Sequence, residues 1–268
     1  MTWVETDSLS FVARHDDEDT VCAQRLIDQL EDARLRLEER FEEAPGDVTI
    51  VIHDNPASLS FSQPLLPVAK WAASPAARRY MAGWAMAREI HLLNDSWMAR
   101  RAGGDDSLRA LNGTAERLYA QVVIAANNER LPPPWSPRRS FDYLRWAWLV
   151  DGGAQYFANQ VPLFRPAVIT RLRSEEAPSF PPGPRDSLVL GGTVFELLDR
   201  VKGRDACQLM VSRLRKDGPL GNVEVAFEAS PSEVESAWRE MLAELATPDR
   251  DLGDLGSEPE SDARYGSA

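Results

Sequence analysis

Cysteine and histidine are both scarce in this chain of 268 residues, which holds two of the first and three of the second. Two thiols cannot staple a small disulfide fold, and Cys22 and Cys207 are expected to be free. Basic residues are in deficit as well: 30 Lys and Arg stand against 42 Asp and Glu, a formal charge of -12. Binding to nucleic acid needs a clustered basic excess that replaces phosphate counterions, so nucleic-acid partners are excluded and an anionic membrane surface is disfavoured. No stretch approaches the roughly 20 consecutive apolar residues of a bilayer span. The start, Met1 to Asp7, lacks a basic run and an apolar run, so a cytoplasmic location is expected. Also missing are a G-x-S-x-G elbow, a phosphate-binding G-x-x-x-x-G-K-[ST] loop, a G-x-G-x-x-G fingerprint and a Cys-x-x-Cys pair, which leaves nucleotide and redox roles without support.

What is present is an ordinary globular composition, 43% hydrophobic and 27% charged, with enough apolar surface for a sizeable core. A short strand is expected over residues 9–13. A long surface helix follows over residues 20–43, where Cys22, Leu26, Leu30, Ala33, Leu37 and Phe41 recur at helical spacing. Pro45-Gly46 ends it, and the β-branched run Val48 to His53 predicts a strand. Prolines at 56, 64, 67 and 75 break the next stretch into loop and short helix. Residues 80–93 predict one or two strands turning near Ala87-Arg88, and residues 100–106 a charged loop. Residues 114–127 read as a buried helix, apolar nearly all round. A second buried helix follows the Pro132-Pro133-Pro134-Trp135 turn, capped by Ser136 with Pro137 at its first position, or by Ser140. Residues 174–188 form a proline-rich loop, and residues 194–201 and 205–214 two helices broken at Gly203. Ser230-Pro231-Ser232-Glu233 is a capping box opening the last helix. From residue 247 onward the chain is acidic and poor in apolar residues, so a disordered tail is expected.

Glu116 and Asp151 are ionisable groups in otherwise apolar helices, and burying an unpaired carboxylate is costly enough to demand a partner or a function. Arg145 and Arg117 are the candidate partners of Asp151. Gly152 and Gly153, each costing about 1 kcal/mol in mid-helix, imply a close neighbour, expected to be the helix carrying Glu116.

The order of elements and the segment Trp148-Leu149-Val150-Asp151-Gly152-Gly153-Ala154-Gln155-Tyr156 resemble the gluzincin group of zincin-fold metallopeptidases, the peptidase MA-like domains. In active members one helix bears HExxH, and a later W-L-x-E-G-x-A-x-Y pattern supplies the third zinc ligand. The resemblance implies an α+β, zincin-like fold over residues 1–246: a mixed amino-terminal sheet with a long helix over about residues 1–127, then a mainly helical half over about 128–246. It places the HExxH equivalent on Ala115-Glu116-Arg117-Leu118-Tyr119, where both histidines are missing, and Asp151 replaces the ligand Glu. Ala115 has no lone pair to give, and Tyr119 carries a phenol that is a poor zinc ligand.

The expectation is therefore a pseudoenzyme, catalytically degenerate, whose interhelical cleft serves as a binding or scaffolding surface for a peptide or protein. No cofactor is expected, zinc being admissible only with replacement ligands. Glu116, Tyr119 and Asp151 mark the degenerate site. An alternative makes Glu116 and Asp151, with Tyr119 as acid, a metal-free hydrolase. Another retains a metal harder than zinc through Asp151, Glu116 and a histidine from the sheet. His53 and His91 are the available histidines, and both read more simply as satisfied or solvent-facing side chains.

Overall fold

The computed structural model describes residues 3–174 and 176–247, so the acidic tail expected from residue 247 lies almost wholly outside the described residues. The chain opens with a hairpin of β1 (Trp3–Asp7) and β2 (Phe11–Asp16), in which Trp3 pairs with Asp16 and Asp7 with Val12. The single strand expected at residues 9–13 is thus two, because Ser8 to Ser10 form the turn. Glu31 explains why: its carboxylate accepts from both the Ser8 hydroxyl and the Ser10 backbone N–H. Parallel pairing of β2 with β3 (Val48–His53) requires a crossover, supplied by α1 (Thr20–Glu38). The face of α1 that carries Ala23, Leu26, Ile27, Leu30, Ala33 and Leu37 is buried. The helix stops five residues short of its expected end, and Phe41 reaches the core from the following turn.

Three short helices replace the mixed stretch after β3: α2 (Pro56–Ser62), α3 (Leu65–Ala72) and α4 (Pro75–Tyr80). Asn55 and Ser74 cap α2 and α4, each followed by a proline in the first turn, so the same prolines that forbid one long helix start two short ones. The expected hairpin forms from β4 (Gly83–Ala85) and β5 (Glu89–Leu93), and the sheet runs β1-β2-β3-β5-β4. Its inner pairs are parallel and its two outer pairs antiparallel.

Helices make up the remainder. The charged segment at residues 100–106 is mostly helical, as the end of α5 (Asp95–Arg101) and the start of α6 (Asp105–Asn112), with Gly104 at φ +147° between them. Then come α7 (Thr114–Ala126) and α8 (Pro137–Phe157), the latter capped by the Ser136 hydroxyl and bent at Trp146, whose φ and ψ are -114° and 15°. Beyond them lie α9 (Arg165–Leu172), α10 (Ser187–Lys202), α11 (Arg204–Ser212), α12 (Pro219–Phe227) and α13 (Pro231–Ala246), which carries the expected capping box.

Two contacts position the candidate site. α1 and α7 lie side by side, with α1 against β1 and β2 and α7 against β4 and β5. Gly83 allows this approach, since a Cβ there would stand 2.8 Å from the Leu118 side chain and 2.6 Å from the His91 carbonyl. On its other side α7 packs on α8, and α8 crosses α10 with backbone against backbone. A Cβ on Gly152 would lie 2.3 Å from the Gly191 carbonyl carbon, so the close neighbour of Gly152 is α10, not the helix of Glu116. Gly153 does face α7, through Ile124, as well as Phe195 and Val211. One apolar core runs from Phe11 of β2 to Leu242 of α13. Among the described residues, no helix is long and apolar enough to cross a membrane.

Candidate functional site

The three residues marked by the sequence do not meet. Glu116 sits on the flank of α7 that faces α1, where Arg36 donates to its carboxylate at 3.0 Å. Burial raises its pKa and the Arg36 charge works against that. Tyr119 is fully buried toward the sheet: its ring meets Phe11 edge-on at 5.1 Å, and its hydroxyl donates to the Pro45 carbonyl at 2.9 Å. Burial lifts this phenol further above its ordinary range, so it is held as a neutral donor. Asp151 lies elsewhere, in a cleft of about 350 Å³ between α3, β4, α7 and α8 whose lining includes neither Glu116 nor Tyr119.

The residues of α7 that share this cleft with Asp151 are Arg117, Leu118 and Gln121. Arg117 and Gln121 are four apart and so lie on one helix face, about 200° around the axis from Ala115 and Tyr119. The face of α7 turned to Asp151 is therefore that of Arg117 and Gln121 and not that of Ala115 and Tyr119, while Glu116 is turned to its ion pair with Arg36. The alternative partner of Asp151, Arg145, instead reaches the Asp217 carbonyl at 3.5 Å.

Arg117 is 6% exposed, and among the described residues only its Nη2 finds an acceptor, the Tyr80 carbonyl at 3.2 Å, while Nε is buried without a partner. Desolvation draws the guanidinium down to about 10, opposed by the nearby Asp151 charge, so it stays protonated at neutral pH. Asp151 uses one oxygen, Oδ2, to accept from both the Tyr143 hydroxyl, at 2.9 Å, and the Ser187 hydroxyl. Burial raises the Asp151 pKa, while these two hydrogen bonds and the Arg117 charge hold it down. Burial, followed by the same carboxylate, pushes Tyr143 well above the usual phenol range. Asp151 and Arg117 influence each other's charge, yet they stand farther apart than the 4.0 Å of an ion pair.

The walls around this polar floor are apolar. Trp135, from the proline turn, stacks on Trp84 of β4 at 4.7 Å, meets Tyr143 edge-on, and donates its indole N–H to the Ala85 carbonyl at 2.8 Å. Leu118 and Leu188 line the interior, and Leu65, Val68, Phe141 and Leu144 surround it with about half or more of their surface open to solvent. Ser187 is placed by the residue before it: Asp186 forms a buried two-point ion pair with Arg171 at 2.7 and 2.8 Å.

This donor set does not fit zinc. Arg117, protonated at neutral pH, has no lone pair to give there, and one carboxylate beside one carboxamide falls short of the three nitrogen, sulfur or carboxylate ligands that a catalytic zinc takes from its protein. Among the described residues, no three of His, Cys, Asp and Glu gather closely enough to hold a metal ion. His53 and His91 are a buried stacked pair, Nε2 to Nδ1 at 3.0 Å, joined to Ser58 at 2.9 Å and to Glu89 at 3.4 Å. They line no part of the cleft. Of the residues singled out in the sequence as a candidate site, only Asp151 lies in the cleft; Gln121, Tyr143 and Ser187 are missed, and a lone glutamine in a largely apolar helix is the one signal that could have found any of them. The chain matches no family model, no curated protein and no solved structure.

Proposed function

We propose that the chain is a catalytically degenerate protein of zincin-like architecture whose cleft binds a peptide without cleaving it. The observation that carries this reading is the facing set Arg117, Gln121 and Asp151. When the i, i+4 pair that faces Asp151 is taken as the metal-binding register, Arg117-Leu118-Tyr119-Ala120-Gln121 occupies it. Each chemical role is then replaced: a guanidinium and a carboxamide stand for the two imidazoles, and Leu118 stands for the general base. A fixed cation where a metal would sit can orient a carbonyl or carboxylate, but it cannot supply an activated water. Apolar walls around a few polar groups at the floor support a binding role.

The metal-free hydrolase reading draws less support, since Glu116 is paired with Arg36 on the opposite flank of α7 and only Asp151 lines the cleft. Elemental mass spectrometry on untagged protein, before and after zinc soaking and desalting, tests the binding reading together with a peptide-cleavage assay. The expected result is no stoichiometric metal and no cleavage. Stoichiometric zinc with chelator-sensitive hydrolysis overturns it, and cleavage abolished by Glu116→Gln establishes the hydrolase instead.

A further inference from the structure

The floor of the cleft holds three polar groups with unused capacity. Among the described residues, Arg117 engages one of its three nitrogens, the Gln121 side chain makes no hydrogen bond, and Asp151 accepts through Oδ2 alone, leaving Oδ1 open. A cation 6% exposed and a carboxylate close enough to feel it would ordinarily close into an ion pair, because an unpaired charge in a low-dielectric setting is costly. Here they face one cavity and leave a gap.

The gap has a polarity. On the α7 side it offers donors, the Arg117 guanidinium and the Gln121 amide; on the α8 side it offers an acceptor, Asp151 Oδ1. A ligand that fills it must bring an anionic or strongly accepting group to α7 and a donor to α8, and carry an apolar group for the walls. An amine at that point would confront Arg117. A fatty acid would satisfy Arg117 but would set a second carboxylate beside Asp151 with no donor between them. An internal peptide segment supplies the amide N–H but no charge for the guanidinium.

We propose that the cleft binds the carboxyl terminus of a peptide ending in an apolar residue. The terminal carboxylate is held by Arg117 and Gln121, the last amide N–H donates to Asp151, and the final side chain lies against Leu118 and Leu188. This rests on the reading of the cleft as a peptide-binding surface and specifies which part of the peptide enters it. A volume of about 350 Å³ suits one large apolar residue and its backbone, with the preceding residues leaving over the exposed rim at Phe141 and Leu144.

The test uses the full chain and a pool of acetylated tetrapeptides ending in Leu, Val or Phe, prepared once as free acids and once as C-terminal amides. Affinity-selection mass spectrometry reads which are retained, and calorimetry gives affinities for the strongest pair and for decanoate. Free acids are expected to bind at least roughly tenfold more tightly than their amides, since the charge-assisted bonds to the guanidinium are lost in the amide. Arg117→Gln is expected to erase that preference. Gln121→Met, which leaves the cation in place, is expected to weaken the acids severalfold while preserving it, and stands as the readout if Arg117→Gln does not fold. Equal retention of acids and amides, or a folded Arg117→Gln protein that keeps the preference, overturns the carboxylate assignment while leaving the peptide cleft standing. Decanoate binding as tightly as the best peptide also overturns it. Retention of neither series overturns both readings.

Discussion

Gly152 of α8 and Gly191 of α10 meet backbone to backbone, with room for no side chain at either position. Alanine ordinarily favours a helix over glycine by about 1 kcal/mol. At Gly152 the sign is reversed, because the added methyl would lie 2.3 Å from the Gly191 carbonyl carbon and would push the two helices apart. Gly152→Ala is expected to lower stability by about 2 kcal/mol in urea unfolding, whereas a solvent-facing Gly→Ala change would raise it. An unchanged or higher midpoint would show that the crossing is looser than described.

The cleft residues should separate stability from binding. Removing the buried, incompletely bonded guanidinium with Arg117→Met is expected to leave stability unchanged or to raise it by about 1 kcal/mol, at the cost of ligand retention, because Asp151, though it loses the nearby cation, keeps its hydrogen bonds from Tyr143 and Ser187. Asp151→Ala removes the nearest compensating charge and the acceptor for Tyr143 and Ser187, and is expected to cost about 3 kcal/mol. Thermal melts of both variants, compared with wild type, check the opposite signs.

Asp186→Ala should rank among the more damaging single substitutions. It leaves the Arg171 guanidinium, whose side chain is 4% exposed, without its two-point partner at the start of α10. A loss of about 3–5 kcal/mol is expected by chemical denaturation. A loss below 1 kcal/mol would mean that water or another acceptor takes over.

Acid sensitivity is expected to arise at the histidine pair. Burial, followed by the neighbouring His91, lowers His53 from 6.5 to about 4; Asp54 opposes this, and Ser58 occupies its other ring nitrogen. Burial lowers His91 too, with Glu89 opposing. The unfolded chain therefore binds the proton more readily, so the contribution of His53 is intact above pH 6.5, declines as pH falls, and is exhausted near pH 4. A drop on the order of 2 kcal/mol across that window is expected from the linkage. His53→Gln should flatten this limb in a series of urea titrations between pH 7 and pH 4, and an unchanged slope would place the acid sensitivity elsewhere.

Much of the mixed architecture was legible before the fold was seen, and for physical reasons. The α1 stripe, the β-branched run of β3, the all-round apolar α7 and the capping boxes or cap prolines of α8 and α13 are local signals that packing reinforced. Misreadings fell where the deciding interaction was distant in sequence. Ser8 and Ser10 turn because Glu31 holds them, more than twenty residues away. The end of α5 is held by Arg101 donating to the carbonyls of Arg78 and Arg79. The site follows the same pattern: the apolar surroundings of Asp151 mark it in the sequence, but which face of α7 meets it does not show there, since the turn of Glu116 away from the cleft depends on Arg36 in another helix. Tyr143 and Ser187 join the cleft only through a bend in α8 and the anchoring of α10, neither of which has a short sequence mark.

The glycine contact has a consequence for how discriminating the cleft is. Asp151 precedes Gly152, so the acceptor side of the floor is bolted to α10 and cannot drift without breaking a backbone contact. The facing wall, α3, buries Leu66 but leaves Leu65, Val68 and Trp71 largely open, and its main packing neighbour is the short α2. One side is an anvil and the other a soft jaw. On the proposed peptide-binding reading, such a cleft would be exacting about the group that reaches its floor and tolerant of what trails over its rim, so that one site would serve ligands sharing an end but differing in length.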